Sequence, residues 1–185
     1  AVYNNSDTIL ISSNYFRKPI AKRLNSLKKI NFFPNWAEDV FFNKIVDPPL
    51  SKFTYPKGFN IIFTGNIGES QGFEDVVEAA KITSNTNINW ILIGDGRKKN
   101  WIKKQISDYG IKNIYLPGSY PLETMPYYLS VADCLLITLK KDKVFSNTLP
   151  AKLQPYLSSG KPILGNLSGE GLNIIQKNSL GLGCN

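Results

Sequence analysis

From residue 59 onward, short apolar runs alternate with amphipathic stretches, and glycines follow most of the runs. The apolar runs have the length of buried strands, whereas the stretches between them place apolar residues at helical spacing. Strands that alternate with helices form a parallel sheet with right-handed crossovers and helices on its faces. The pattern therefore predicts an α/β, Rossmann-like parallel sheet with helices on both faces, in which ligands bind beyond the carboxyl ends of the strands.

The predicted elements of this domain follow one another without a long gap. We predict strands at residues 60–64, 90–93, 114–116, 134–138 and 162–165. We predict helices at residues 73–81, around Trp101–Ile106, and at residues 125–132, 152–159 and 169–177. Proline is tolerated only in the first turn of a helix, so Pro155 should make the helix at 152–159 begin late or kink.

The first 58 residues have a different pattern. We predict strands at residues 8–12 and 30–33 and a helix at residues 20–27. Residues 47–57 contain three prolines and are predicted to form a linker. We therefore divide the chain into residues 1–58, the end of a preceding domain with its linker, and residues 59–185, the α/β domain.

The composition limits the chemistry that this sequence can support. Its 185 residues include no histidine and two cysteines, and its net charge is +8. The lack of histidine excludes Ser–His and Cys–His nucleophile systems and histidine-based metal sites from these residues. Basic clusters at residues 17–29, 97–104 and 140–143 favour anionic partners such as phosphates, nucleic acid or an anionic membrane surface. A solvated basic surface explains the same clusters equally well.

Localisation is predicted from what the sequence does not contain. No apolar run approaches the ~20 residues that span a bilayer, and no signal peptide is visible. Cys134 lies in an apolar run and should behave as a small core residue, which fits a reducing compartment. We expect a cytoplasmic protein that can attach peripherally to the inner face of the plasma membrane.

Several short motifs occur in a fixed order along the predicted domain. They are GNIGESQG at residues 65–72, IGDG at 93–96, LPG at 116–118, ADCLL at 132–136, PAKLQPYL at 150–157, GKPI at 160–163 and SGE at 168–170. In this order the motifs resemble the group 1 (family 4) glycosyltransferases, and they look most like the subgroup that builds colanic acid and O-antigen chains. The resemblance implies the GT-B fold, in which two Rossmann-like domains face each other across a cleft. This chain would hold the C-terminal, donor-binding half with an N-terminal arm from the acceptor domain.

The resemblance also implies an activity. We expect transfer of a sugar from a UDP-linked nucleotide-sugar donor to a lipid-linked or saccharide acceptor in bacterial surface polysaccharide biosynthesis. Family membership implies retention at the anomeric carbon, no metal and no other cofactor, with cations and helix dipoles neutralising the leaving diphosphate. It further implies that the chain is cut at both ends, so that the acceptor would be held by a missing domain. We expect the fragment alone to be inactive, because catalysis requires both reactants to be positioned.

A glycine turn that leads into a helix offers free amides and a favourable dipole to a diphosphate. The predicted diphosphate site consists of Gly65, Asn66, Gly68, Gln71, Gly72 and Lys152. The family carries arginine and lysine at the positions of Asn66 and Gln71, so this loop keeps hydrogen-bonding groups but lacks two charges. We expect Lys152 to supply the missing cation, with Lys143 as a weaker candidate, and a plain surface lysine is the alternative for Lys152.

The resemblance assigns the other site residues to the remaining parts of the donor. The predicted nucleobase and ribose contacts are Gly94, Gly118, Ser119, Tyr120 and Gln154. The predicted donor-sugar contacts are Ser146, Ser168, Gly169 and Glu170. Ser146 and Gln154 stand where we align two family glutamates, so a carboxylate is missing and no general base can be named. A packing role for Tyr120 and a helix-dipole role for Glu170 explain these two residues equally well.

Other classes of protein fit the sequence less well. A GT-B-type nucleotide-sugar epimerase would use the same phosphate site but generally relies on a catalytic histidine. A basic nucleic-acid-binding module would stack bases on aromatic residues that stand between lysines, such as Trp90 and Trp101, but both of these fit a core. We therefore expect no nucleic-acid partner. The sequence after Gly94 and Gly96 lacks the third glycine of the dinucleotide fingerprint, which disfavours a dehydrogenase.

Overall fold

The computed structural model describes residues 2–24, 29–42 and 53–184. The strands are β1 (Ile9–Ile11), β2 (Ile30–Phe32), β3 (Phe59–Thr64), β4 (Ile88–Ile93), β5 (Ile114–Gly118), β6 (Cys134–Thr138), β7 (Ile163–Asn166) and β8 (Gly181–Cys184). The helices are α1 (Val2–Asn5), α2 (Arg17–Ala21), α3 (Phe73–Ile82), α4 (Lys99–Tyr109), α5 (Met125–Ser130), α6 (Lys143–Ser146), α7 (Leu153–Ser159) and α8 (Glu170–Lys177). Short 3₁₀ turns cover Asn14–Phe16, Asp39–Phe42, Glu69–Gln71 and Leu122–Thr124.

The larger unit is a parallel sheet of six strands in the order β5-β4-β3-β6-β7-β8. The chain moves outward from β3 through β4 to β5, and then returns to the other side of β3 to form β6. Such a reversal creates a crevice beyond the carboxyl ends of the two central strands, where ligands bind in open α/β sheets. The sheet order therefore places the candidate site at the carboxyl ends of β3 and β6.

Side chains of each strand alternate between two apolar layers, one on each face of the sheet. Ile62 and Ile91 pack in the layer that contains residues of α5, α7 and α8. Phe63 and Leu92 pack in the layer that contains residues of α3 and α4. The predicted Rossmann-like architecture is confirmed, and so is the core position of Cys134, which is 8% exposed.

The predicted elements of the large unit are confirmed with small shifts at their ends. Helix α5 ends at Ser130, two residues earlier than predicted. Helix α7 begins at Leu153, so Pro155 lies in the first turn, where its missing N–H is not needed by the helix. Gly160 ends α7 in the left-handed conformation, with φ of +68°.

Two elements of the large unit were not predicted. Strand β8 contains two glycines among its four residues, which weakens any β pattern in the sequence. It forms because its backbone pairs with β7 along the full length of the strand. Helix α6 is only four residues long, too short to show a helical period.

The N-terminal unit was predicted less well. Strands β1 and β2 are confirmed, and they pair in a separate two-stranded parallel sheet. The predicted helix at residues 20–27 is wrong in its start, because α2 spans Arg17–Ala21 and includes Pro19 in its first turn. Residues 25–27 of that prediction lie outside the described residues, and α1 was not predicted.

The N-terminal unit has its own small apolar cluster, which includes Ile9, Ile11 and Ile30. Residues 47–52 of the predicted linker lie outside the described residues. Phe53 and Tyr55, from the rest of that linker, pack against the core of the large sheet. None of the described helices combines the length and hydrophobicity needed to cross a membrane.

Candidate functional site

Three glycines at the carboxyl ends of β3, β4 and β5 bring neighbouring backbones into direct contact. The Gly65 N–H donates to the Ile93 carbonyl at 2.9 Å, and the Gly94 N–H donates to the Gly118 carbonyl at 2.8 Å. A Cβ atom at Gly94 would lie 1.8 Å from the Gly65 carbonyl oxygen. Glycine is therefore required at position 94, and the backbone itself forms the floor of the site.

A cleft of about 370 Å³ opens above these glycines, a volume within the range of small-molecule sites. Its lining residues are Gly65, Asn66, Ile93, Gly94, Asp95, Ser119, Tyr120, Leu122 and Met125. The predicted diphosphate residues at 65 and 66 thus share one cleft with the predicted nucleobase residues at 94, 119 and 120. Ile93, Asp95, Leu122 and Met125 were not predicted as site residues, although each lies close in the sequence to a predicted one.

The Asn66 side chain lies between two glycines of neighbouring loops. A Cβ at Gly68 would lie 2.8 Å from Asn66 Nδ2, and a Cβ at Gly96 would lie 2.5 Å from Asn66 Oδ1. The Ile67 N–H donates to the Asp95 carbonyl at 2.7 Å, which ties the β3 loop to the β4 loop. The two loops therefore form one rigid wall of the cleft.

Lys152 lies just before α7 and extends its ammonium group over Gly65. Its Nζ donates to Gln71 Oε1 at 3.0 Å and lies 4.7 Å from the centre of the Phe63 ring. Among the described residues, no carboxylate forms an ion pair with Lys152. Burial lowers the pKa of Lys152 to about 8. A buried ammonium group with a neutral acceptor as its hydrogen-bond partner would be stabilised by an anion placed beside it.

The loop that carries Gln71 is held in place by the residues that follow β6. Gly72 has φ of +63°, and a Cβ there would lie 3.3 Å from the Leu139 backbone. The Lys140 N–H donates to the Ser70 carbonyl at 2.9 Å. The positive φ favours the predicted glycine at 72, and a side chain there would press against the neighbouring segment.

The carboxyl end of β3 is held by a buried tyrosine of α7. The Thr64 N–H donates to the Tyr156 hydroxyl at 2.9 Å, and the two hydroxyl groups lie 3.2 Å apart. Burial raises the pKa of Tyr156 to about 12, so the hydroxyl stays protonated near neutral pH. This contact fixes the residue that precedes Gly65.

Lys98 belongs to a predicted basic cluster, but neither interpretation of that cluster, an anionic partner or a solvated surface, holds for this residue. Its side chain is largely buried, and Nζ lies 2.6 Å from Glu74 and 3.5 Å from Glu69. The same ammonium lies 4.1 Å from the centre of the Trp101 ring. Lys98 therefore stabilises the outer side of the β3 loop and is not free to bind an anion.

The predicted donor-sugar residues meet at the start of α8, beyond the carboxyl end of β7. A Cβ at Gly169 would lie 1.7 Å from the Ser146 carbonyl oxygen, so these two residues touch through their backbones. Glu170 Oε2 accepts from Ser13 Oγ at 2.5 Å and from the Tyr15 N–H at 3.4 Å. Ser13 and Tyr15 were not predicted, because no local pattern links residues about 157 positions apart.

The remaining predicted residues occupy less direct positions. Gly118 ends β5 immediately before the cleft residue Ser119, and Ser168 precedes the turn into α8. Gln154 lies in the first turn of α7, and its Oε1 is buried with no hydrogen-bond partner in the described part of the chain. Gln154 does not line the 370 Å³ cleft. Of Lys143 only the backbone is described, as the first residue of α6.

A metal site needs a cluster of ligands, and a nucleic-acid site needs exposed aromatic rings. In residues 2–24, 29–42 and 53–184, no group of three or more His, Cys, Asp or Glu residues could hold a metal ion. Trp90 is 6% exposed, and its indole N–H donates to Thr83 Oγ1 at 3.1 Å. Its ring is therefore part of the core and is not presented for stacking on bases.

The order of the strands places the predicted site residues in one line along the sheet edge. Tyr120 follows β5, Gly94 follows β4, and Gly65 follows β3 with Lys152 above it. Glu170 follows β7 on the far side of β6. The four steps from β5 to β7 span about 19 Å at the usual strand spacing. An elongated anionic ligand with its charge near the centre would match this line.

Sequence comparison identifies the family to which this fold and site belong. The family profile described as "Glycosyl transferases group 1" matches residues 51–183, and the chain belongs to this family. The protein named colanic acid biosynthesis glycosyl transferase WcaI of Escherichia coli K12 is 29% identical over 164 residues, 86% of this chain and 40% of WcaI. The glycosyltransferase WbjE of Pseudomonas aeruginosa is 26% identical over 188 residues, 99% of this chain and 47% of WbjE. The chain thus spans less than half the length of these relatives.

Solved structures support the same fold. HepE of Anabaena in complex with UDP-glucose aligns with a TM-score of 0.74 at 12% identity, covering 97% of this chain and 50% of HepE. A glycosyltransferase from Rickettsia africae aligns with a TM-score of 0.75 at 13% identity, covering 98% of this chain and 51% of that protein. The predicted family and the predicted half of a GT-B fold are confirmed.

Proposed function

We propose that this chain binds the donor of a glycosyltransferase that moves a sugar from a UDP-sugar to an acceptor in bacterial surface polysaccharide biosynthesis. The acceptor would be lipid-linked or a saccharide. The names of the relatives support the class of pathway, and the UDP-glucose complex of HepE supports the class of donor. The acceptor remains a prediction from the family resemblance, and membrane attachment remains a prediction from the basic charge of the chain.

The observation that carries this proposal is the buried ammonium of Lys152 above the glycine loop. It has a neutral hydrogen-bond partner, and it lies at the sheet crevice where α/β folds bind ligands. A diphosphate placed there would receive a charge-assisted hydrogen bond, which is stronger than a neutral one. The backbone amides of the adjacent glycine loop would add further donors.

The rest of a nucleotide-sugar fits on either side of that central charge. The cleft beside Tyr120 is lined mainly by apolar and backbone groups, together with the polar residues Asn66, Asp95 and Ser119, which suits a nucleobase and ribose. The start of α8, with Gly169 and Glu170, provides a carboxylate and free amides for sugar hydroxyls. The chemical order base, diphosphate, sugar thus follows the strand order β5, β3, β7.

Chemistry at the anomeric carbon would be assisted by stabilisation of the leaving diphosphate. The Lys152 ammonium and the amides of the glycine loop would stabilise the charge that develops on the diphosphate oxygen. Retention of configuration and independence from metal and other cofactors remain predictions from the family resemblance. The anomeric configuration of the product, measured by NMR, tests the first, and activity in the presence of a chelator tests the second.

Calorimetric titration of the chain with UDP, GDP, TDP and uridine tests the proposal. We expect UDP to bind more tightly than uridine, because only UDP presents a diphosphate to Lys152. The variant Lys152→Met should weaken UDP and leave uridine unchanged. Lys161→Met is the matched control. Lys161 is half-buried and lies just before β7, at the amino ends of the strands and away from the candidate site. Failure of every nucleoside diphosphate to bind would refute the proposed donor site.

The activity itself needs a separate measurement. We expect this chain to bind UDP but not to transfer sugar alone, because the acceptor must be positioned by a second domain. Turnover of a UDP-sugar with a lipid acceptor by this chain would contradict that expectation. UDP binding without turnover would agree with a donor-binding half.

A further inference from the structure

A hydroxyl group of the N-terminal unit is hydrogen-bonded to the carboxylate at the start of α8. Ser13 is fully buried, and its Oγ donates to Glu170 Oε2 at 2.5 Å. The Tyr15 N–H donates to Ser13 Oγ at 3.2 Å and also reaches Glu170 Oε2 at 3.4 Å. Because water cannot reach the Ser13 hydroxyl, Glu170 is the acceptor that this hydroxyl requires.

One turn further along α8, a second hydrogen bond joins the same two segments. Asn173 Nδ2 donates to the Tyr15 hydroxyl at 2.5 Å. Residues 13–15 therefore lie against the first two turns of α8 through side chains that no local pattern connects. Together, the contacts of residues 13–15 with Glu170 and Asn173 hold the Glu170 side chain in one position.

The Glu170 carboxylate keeps an oxygen free for another ligand. A carboxylate can accept about four hydrogen bonds, and both contacts from the N-terminal unit use Oε2. Within the described ranges, Oε1 accepts none. Glu170 is half-buried, so Oε1 is held in a defined place but is not sealed from a ligand.

The N-terminal unit and the large unit have separate apolar cores. The cluster around Ile9, Ile11 and Ile30 is distinct from the two layers of the large sheet. Between residues 29 and 42, Phe41 packs against the core of the large sheet. The polar contact at Ser13 therefore contributes orientation at the site more than burial of apolar surface.

We propose that Ser13 is a positioning residue that holds Glu170 so that Oε1 accepts hydrogen bonds from hydroxyl groups of the donor sugar. This inference rests on the proposed donor site and adds a residue from the N-terminal unit to it. Ser13 touches neither the nucleotide nor the sugar and acts only through Glu170. A hydroxyl at position 13 should therefore raise the affinity for the donor sugar and leave the affinity for the nucleotide unchanged.

The experiment compares binding of UDP with binding of UDP-glucose, UDP-galactose and UDP-N-acetylglucosamine to the same chain by calorimetry. The measured quantity is the affinity gain of the best UDP-sugar over UDP. We expect Ser13→Ala to reduce this gain about fivefold, because a hydrogen bond to a charged group is lost and Glu170 can rotate. Ser13→Thr should retain most of the gain, since it keeps the hydroxyl, and Glu170→Gln should reduce it at least as much as Ser13→Ala.

UDP affinity separates this inference from the proposed function. If UDP itself does not bind, the donor site is refuted and Ser13 has no role in it. If UDP binds but no UDP-sugar gains over UDP, or if Ser13→Ala leaves the gain unchanged, the positioning role is refuted alone. A fall of UDP and UDP-sugar affinity by the same factor would indicate a purely structural role and would also overturn the proposal. Tyr15→Phe, which removes a neighbouring contact but keeps Ser13, serves as a second variant should Ser13→Ala fail to fold.

Discussion

The two ends of the candidate site are built in different ways. The glycine cleft at β3, β4 and β5 belongs to one folded unit and is shaped by backbone contacts that exclude a side chain at Gly94. The carboxylate end at Glu170 is shaped by side-chain hydrogen bonds from Ser13 and Tyr15, which belong to the other unit. Under the proposed function, nucleotide recognition would depend on the large sheet alone, whereas sugar recognition would also depend on the contact between the two units.

Gly94→Ala disturbs the glycine cleft, which belongs to the large unit alone, and should have the largest effect. The new Cβ would lie 1.8 Å from the Gly65 carbonyl at a positive φ of +143°, so the two loops must separate. We expect the free energy of unfolding to fall by about 3 kcal/mol or more. Denaturant unfolding measures this change.

Gly110→Ala is the matched control for that prediction. Gly110 has a positive φ of +62°, but no atom lies within 4 Å of a Cβ placed there. This variant should lose only about 1 kcal/mol, the cost of the left-handed conformation. Equal losses in the two variants would mean that the contact between Gly94 and Gly65 contributes nothing.

Lys152→Met removes the charge at the centre of the site. We expect UDP affinity to fall about 10- to 100-fold, the usual contribution of a hydrogen bond to a charged group. The free energy of unfolding should not fall, because the variant removes a buried ammonium that has no carboxylate partner in the described residues. Calorimetry and denaturant unfolding measure the two quantities, and a loss of stability without a loss of UDP affinity would contradict the account.

The pH dependence of UDP binding tests whether the charge of Lys152 controls the affinity for UDP. Because the fold lowers the pKa of Lys152 to about 8, the charged fraction in the free protein falls about tenfold between pH 7 and pH 9. UDP affinity should fall by up to the same factor over this range, and Lys152→Met should abolish the dependence. An identical pH profile in the variant would assign the dependence to another group.

The same shift predicts a direction for stability without ligand. The unfolded chain keeps its lysine proton up to the ordinary pKa near 10.4, whereas folded Lys152 loses it near pH 8. Between these values the unfolded state binds more protons, so this residue makes the free energy of unfolding rise with pH. Comparison with Lys152→Met isolates this contribution from that of other groups.

Tyr15→Phe should have the smallest effect and probes the end that depends on both units. The change removes the hydrogen bond from Asn173 but leaves the Tyr15 N–H and Ser13 in contact with Glu170. We expect the affinity gain of a UDP-sugar over UDP to fall by about two- to threefold, since one of several neighbouring hydrogen bonds is lost. A larger loss than that of Ser13→Ala would place the main orientation at Asn173 instead.

The same contrast explains what the sequence could predict. Glycines after apolar runs are a local pattern, so the sheet, its carboxyl edge and the cleft residues Gly65, Gly94 and Tyr120 could be located from residue order. Lys152 could be chosen as the cation because its helix follows the loop after β6. These predictions depend only on short segments and on the rule that parallel strands share an edge.

Tertiary contacts determined the features that the sequence did not predict. Lys98 stands in a run of basic residues, yet Glu69 and Glu74 surround its ammonium group only in the folded protein. Strand β8 has little β propensity and is defined by its pairing with β7. The contact between Ser13 and Glu170 joins segments about 157 residues apart and has no sequence pattern.

Amide chemical shifts of the labelled chain during titration with UDP locate the bound nucleotide residue by residue. We expect the largest changes at Gly65, Asn66, Gly94 and Ser119, at the carboxyl ends of β3, β4 and β5. We also expect these changes largely to disappear in Lys152→Met. Changes concentrated around residues 157–162 and 179–181, at the opposite edge of the sheet, or no saturable changes at all, would contradict the proposed donor site.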